Sequence, residues 1–169
     1  MNAVPQEPME FVVGDSLGRL LKWLRILGFS AVLERDIDDC AAENSLDVKK
    51  ALHLTRSRLR PPAKWKFSVR IQSDTVFDQL KEIIQSGAIT REHLRPFSRC
   101  IDCNAIIEDI DPERVRGRVP DYVFETHTQF KCCPVCYRIF WQGTHLKNMN
   151  AVIDRLFDSE SSPTTESPG

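Results

Sequence analysis

The chain has 169 residues, 41% of them hydrophobic and 28% charged, with a formal net charge of −1, an ordinary composition for a soluble globular protein of one average domain or two small ones. No stretch approaches the roughly 18 apolar residues needed to cross a bilayer, and the polar, proline-bearing start MNAVPQEPMEF does not resemble a secretory signal. Six cysteines without an export signal, four of them in CxxC pairs, fit thiolate metal ligation in a reducing compartment better than disulfides, so a cytoplasmic location and no membrane partner are expected.

After a flexible start (1–10), FVVG at 11–14 is a short apolar strand, and Asp15 or Ser16 then caps a helix whose Leu17, Leu20, Leu21, Leu24 and Leu27 follow helical spacing until Gly28. Arg19, Lys22 and Arg25 recur on its opposite side. SAVLE (30–34) reads as a second strand, a short helix is expected over 39–49, and ALHL (51–54) is a third strand. A loop with Pro61 and Pro62 leads to a fourth strand, FSVRIQ (67–72), and to a helix with Val76, Leu80, Ile83 and Ile84 on one face. Strands alternating with helices indicate a parallel α/β sheet. The connection between the third and fourth strands lacks the expected crossover helix.

Near residue 95 the composition changes, dividing an α/β domain (11–95) from a cysteine-bearing domain (96–157). The latter has a helix expected from Asp111-Pro112, an aromatic strand around 138–141, and a last helix from Thr144. The tail beyond about 158 has too little apolar content to pack and is expected to be disordered (158–169). Between residues 56 and 70 stand six basic residues and no acid, with Trp65 and Phe67 interleaved. That pattern is compatible with nucleic acid and equally with a solvated loop and strand edge.

CIDC (100–103) and CPVC (133–136) are two CxxC units whose gaps let both sulfur pairs wrap one tetrahedral ion. KCCPVC offers one thiol too many. Cys132 with Cys136 would leave a three-residue gap and lose the proline-containing turn, so the expected ligands are Cys100, Cys103, Cys133 and Cys136, with Cys132 and Cys40 left as free thiols. Four thiolates leave no open position for water, which makes the expected zinc structural. His127 and His145 are surplus to that set.

In an open parallel sheet, ligands bind beyond the carboxyl ends of the strands. Asp15 follows the first strand, Asp36, Asp38 and Asp39 follow the second, and Asp74 follows the fourth. Side by side, such carboxylates are what one or two Mg²⁺ or Mn²⁺ ions need to activate water against a phosphodiester. Taken alone, each aspartate is more often a helix cap than a ligand, and it is the shared position at the strand ends that favours the ligand reading.

FVVGDSLGRLLKWLRILGF resembles the start of the PIN-like ribonuclease family typified by the C-terminal domain of the Mut-seven exonuclease. The likeness continues through DIDD, the LTR at 54–56, Ser73-Asp74, Gln79-Leu80, PFSRCIDC, the RVP at 118–120 and CPVCYRIFWQGTHLKNM, in order, over 11–149. The resemblance implies a PIN-like parallel sheet with flanking helices followed by a small zinc ribbon, acting on RNA with a divalent metal. Carried over, its acids fall on Asp15, Asp39 and Asp74. A further family acid often follows the LTR, where this chain has Ser57. Arg56, Arg58, Arg60 and Lys64 are candidate phosphate contacts, and Arg99 and His145, which match positions that recur in the family, are candidate nucleic-acid contacts with them. Arg114, Arg116 and Arg118 read as a second basic patch or a solvated helix face.

Overall fold

The computed structural model describes residues 10–37, 50–59 and 61–158, apart from the side chains of 144–147. The expected helix over 39–49, the start before residue 10 and the tail after 158 lie outside the described residues.

The first layer is a parallel sheet of β1 (Phe11–Val13), β2 (Ala31–Leu33), β3 (Leu52–Thr55) and β4 (Phe67–Arg70), in the order β2-β1-β3-β4. Strand order therefore reverses between β1 and β3. Its inner strands are covered on both faces, so they read as continuous apolar runs rather than alternating ones. Phe11, Val13, Ala31, Leu52 and Leu54 belong to the large core. Val12 and Val32 belong to a smaller core with Ile37, Ala51 and Trp65.

Two helices cover the large core. A 3-10 turn (Asp15–Leu17) leads into α1 (Gly18–Ile26), which buries Leu20, Leu21 and Leu24. Gly28 ends this element at φ +98°, where an added Cβ would stand 2.2 Å from the Arg95 carbonyl oxygen, so no side chain fits. The second helix, α2 (Val76–Gln85), is capped by Thr75, whose hydroxyl accepts from the Asp78 N–H at 3.2 Å.

The connection from β3 to β4 is a parallel crossover without a helix among the described residues. Trp65 takes that place. Its indole is buried in the smaller core and stacks on His53, with ring centroids 4.6 Å apart. One large aromatic thus supplies the apolar cover that a crossover helix ordinarily brings.

A second, antiparallel sheet contains β5 (Glu108–Ile110), β6 (Phe130–Cys132) and β7 (Ile139–Trp141) in that order. The region expected to be helical from Asp111 is a 3-10 turn (Pro112–Val115) followed by α3 (Asp121–Thr126). Val115, Val119, Val123 and Phe130 form the core there. The last helix, α4 (Thr144–Asp158), leaves this sheet and returns to the first layer, where Ile153, Leu156 and Phe157 join the large core. Arg91 fixes it from outside by an ion pair to Asp154 at 2.5 Å. No helix among the described residues is long and apolar enough to cross a membrane.

Candidate metal centre and the acidic strand ends

Cys100, Cys103, Cys133 and Cys136 place their sulfurs within 4.8 Å of one another. A tetrahedral zinc with bonds of about 2.3 Å requires sulfurs about 3.8 Å apart, and Cys100 and Cys136 stand at 3.7 Å. The two knuckles repeat one geometry. In each, the first cysteine donates its N–H to the carbonyl five residues on (Ala105 at 2.8 Å, Arg138 at 3.0 Å) and accepts from the N–H four residues on (Asn104 and Tyr137, both at 3.0 Å). Asn104 and Tyr137 both turn at positive φ, +63° and +59°. Backbone N–H groups point at sulfur as well: Cys103 to Cys100 at 3.5 Å, Val135 and Cys136 to Cys133 at 3.4 and 3.5 Å.

Burial pushes the Cys103 thiol up to about 12 and raises Cys100, whereas a backbone hydrogen bond at Arg138 lowers Cys136 to about 7. Four crowded sulfurs cannot all ionise without a cation between them, and a bound metal supplies it. Cys132 stands apart from the cluster, half-buried at the end of β6, its thiol directed to the Cys133 carbonyl. Of the three thiols of KCCPVC, Cys132 is the one outside the cluster.

The first knuckle is seated on the parallel layer by Arg25, Asn104 and Arg99, a role that the sequence pattern did not mark. Arg25, on the basic side of α1, is buried and donates to the carbonyls of Ala31, Ile101 and Asp102 at 2.9, 2.7 and 2.7 Å. Asn104 accepts from the Ala31 N–H at 3.1 Å and donates to the Ser30 hydroxyl. Arg99 donates to the carbonyls of Gly28 and Asn104 at 3.2 and 2.8 Å, so these two donors serve the seam between the layers. The second knuckle is tied to the first by an Arg138–Asp102 ion pair.

At the carboxyl edge of the parallel sheet, Asp15 follows β1 and is exposed. Neither the 3-10 turn nor α1 has a side-chain cap, so Asp15 does not serve as the helix cap that its position suggested. Asp74 is likewise no cap, since Thr75 fills that role. Arg35 lies 3.9 Å from Asp15 and 3.6 Å from Asp36, and Arg56 lies 2.6 Å from Asp74. At the end of β3, the Thr55 hydroxyl accepts from the Ser57 N–H and the Ser57 hydroxyl accepts from the Leu59 N–H, both at 3.1 Å. Gly14 brings β1 against β3 there, its N–H bonded to the Leu54 carbonyl at 2.8 Å.

Asp38, Asp39 and Arg60 lie outside the described residues, as does the side chain of His145. Among the described residues the cysteines are the one group of three or more side chains placed to share a metal, so Asp15, Asp36 and Asp74 do not form such a group by themselves. Arg58 and Lys64 are exposed, and the Lys64 ammonium sits 4.8 Å from the centre of the Trp65 ring.

A hydrogen-bonded pair that sequence reasoning did not single out lies one strand away. His53, 3% exposed, has its Nε2 at 3.2 Å from Glu34 and its Nδ1 at 3.3 Å from the Ser68 hydroxyl. Burial lowers its pKa from the usual 6.5, against the opposing pull of Glu34.

A parallel sheet with aspartates beyond its carboxyl ends, joined to paired cysteine knuckles that gather four sulfurs for one ion, defines an α/β protein of PIN-like architecture with a C-terminal ribbon. The family model described as Mut7-C RNAse domain matches residues 9–153, and the chain belongs to that family. No curated protein and no solved structure matches it.

Proposed function

We propose that this protein is a divalent-metal-dependent ribonuclease whose cysteine site holds a structural zinc. The observation that carries the reading is the placement of Asp15, exposed beyond β1 beside the point where strand order reverses, with no capping bond to make. Ligands of open α/β sheets bind at that point, and the family is one of RNase domains. Asp15, Asp39 and Asp74 would hold Mg²⁺ or Mn²⁺, which supplies an activated water and offsets charge on the leaving oxygen. Arg56, Arg58, Arg60 and Lys64 would hold the phosphate backbone beside β3.

The test is cleavage of single-stranded and structured RNA with Mg²⁺ or Mn²⁺. EDTA is expected to stop it, and Asp15→Asn to abolish it with fold and RNA affinity retained. Equal cleavage by wild type and Asp15→Asn would sink the assignment. A second reading, an RNA-binding module of the same fold, is favoured by one feature, the Arg56–Asp74 pair beside Ser57. It expects RNA to bind without being cut.

A further inference from the structure

The cleft between the ribbon sheet and the end of α1 has no part in that reading. Its volume is about 560 Å³, within the roughly 300–1,000 Å³ range of small-ligand sites. Ile26, Phe97, Phe140 and Trp141 line it together with Gln129 and Gln142. The three aromatic residues are half-buried, and the two glutamines are exposed. Phe97 stands at φ +58°, a conformation that a bulky residue rarely adopts, and its N–H is bonded to the Ile26 carbonyl at 2.9 Å. Strain of this kind persists where the surroundings over-determine it, and it clusters at ligand sites.

Flat apolar walls with amides beside them match a planar heterocycle that carries donors and acceptors around its edge. An aliphatic chain would leave the amides unused, and a bare phosphate would leave the rings unused. The approach to the cleft is basic. Arg19 and Lys22 are exposed on α1, and Ile26 lies four residues beyond Lys22, so the three share one stripe of the helix. The stripe starts near the N-terminal end of α1, which the turn bearing Asp15 precedes, and runs toward the cleft, about 10 Å from Arg19 to Ile26 at roughly 1.5 Å per residue.

We propose that this cleft is a base-binding subsite, which takes one unpaired nucleobase of a single-stranded RNA whose backbone crosses Arg19 and Lys22 on its way to the acidic strand ends. The inference rests on the RNA reading above and adds to it where the substrate is gripped and in what form. A paired base cannot enter, because sequence-tolerant stacking on protein aromatics needs the base unstacked from its neighbours.

The experiment compares binding of a short oligouridylate with that of the same strand made abasic, using the full-length protein, its Phe97→Gly variant and a Gln129→Ala/Gln142→Ala variant. Glycine tolerates the backbone at position 97, so the first variant removes the ring without forcing a refold, and unchanged zinc content checks this. Wild type is expected to prefer the base-bearing strand by about tenfold, the scale of one stacked base. Phe97→Gly is expected to erase that preference and leave abasic binding unchanged. Equal binding of the two strands by wild type, or a preference retained by both variants, would overturn the subsite while leaving the ribonuclease reading in place. If neither strand binds, the RNA reading falls, and titration with uridine monophosphate decides the cleft alone. Tryptophan fluorescence that responds to the nucleotide in wild type and not in Phe97→Gly upholds it, and the absence of a response overturns it.

Discussion

Arg56 and Asp74 meet across the carboxyl edge of the parallel sheet, with guanidinium Nη2 2.6 Å from carboxylate Oδ1. One follows β3 and the other follows β4, strands that pair in parallel register up to Thr55 and Arg70. Both side chains are substantially exposed, 39% and 88%, so the bond contributes no more than about 1 kcal/mol to stability. If Asp74 holds a metal, Arg56 competes for the same oxygen. Arg56→Ala is then expected to tighten Mn²⁺ binding and weaken RNA binding, with the urea midpoint almost unchanged. Calorimetry with Mn²⁺ measures the first effect, and unchanged Mn²⁺ affinity would remove Asp74 from the metal site.

The cysteine cluster gives a sharper contrast between neighbours. Cys133 is buried among the four sulfurs, and Cys132, adjacent in sequence, lies outside them. Metal analysis is expected to find one zinc per chain. Cys133→Ser should release it and unfold the ribbon, whereas Cys132→Ser should leave zinc and melting temperature as they are. The reverse result would move the ligand to Cys132.

Removing Arg25 tests the joint between the two layers. Its side chain donates to three backbone acceptors, Ala31, Ile101 and Asp102, and a charged hydrogen bond contributes roughly 1.5–3 kcal/mol. Arg25→Met keeps the apolar stem and is expected to cost about 2–4 kcal/mol. Zinc should remain bound, because the sulfurs are held by their own knuckles. Hydrogen exchange at residues 100–105 should quicken first. Zinc loss at the same rate as that exchange would show that the knuckle does not stand without its seat.

How much of this could be read in the sequence varies with the range of the interaction. The strands and the α1 and α2 helices were legible because their apolar spacing reports burial locally, and the CxxC units because ligand spacing is local too. Long-range roles were not legible. Arg25 sits in a basic repeat with Arg19 and Lys22 and looks like a solvated face, yet it is buried by a knuckle whose carbonyls it meets more than seventy residues along the chain. Trp65 reads as an aromatic within a basic loop, and only the sheet order shows that it fills the place of a crossover helix. α4 follows the cysteines in sequence and packs with the first layer, because its apolar stripe names no partner. Arg99, a candidate nucleic-acid contact by its place in the sequence, also spends two donors on the seam.

His53 predicts a pH dependence of stability. Its folded pKa is depressed below 6.5 by burial, so between the folded value and 6.5 the unfolded chain binds more protons. Stability contributed by this group is therefore present above about pH 6.5 and is lost as pH falls, by at most about 1.4 kcal/mol per pH unit. Urea unfolding at pH 7.5 and pH 5.5 should show the loss, and His53→Gln should reduce it. An equal loss in the variant would assign the effect to other groups.

The end of β3 decides whether the acidic edge is complete. Ser57 occupies the position where the family resemblance expects a further carboxylate, and its hydroxyl accepts from the Leu59 N–H at 3.1 Å. An aspartate oxygen can accept the same bond, since Asp and Ser both close this two-residue turn, so Ser57→Asp should fold as the wild type does. A carboxylate is a far better ligand for a hard cation than a hydroxyl. If Asp15, Asp39 and Asp74 already hold a metal, the variant should bind Mn²⁺ more tightly and cleave RNA faster at low Mn²⁺, with the two rates converging as the metal saturates. If wild type binds RNA without cutting it, the same substitution should create EDTA-sensitive cleavage that Asp15→Asn removes. Unchanged Mn²⁺ affinity in Ser57→Asp, with its fold intact, would place the metal away from the β3 end and detach Ser57 from the site.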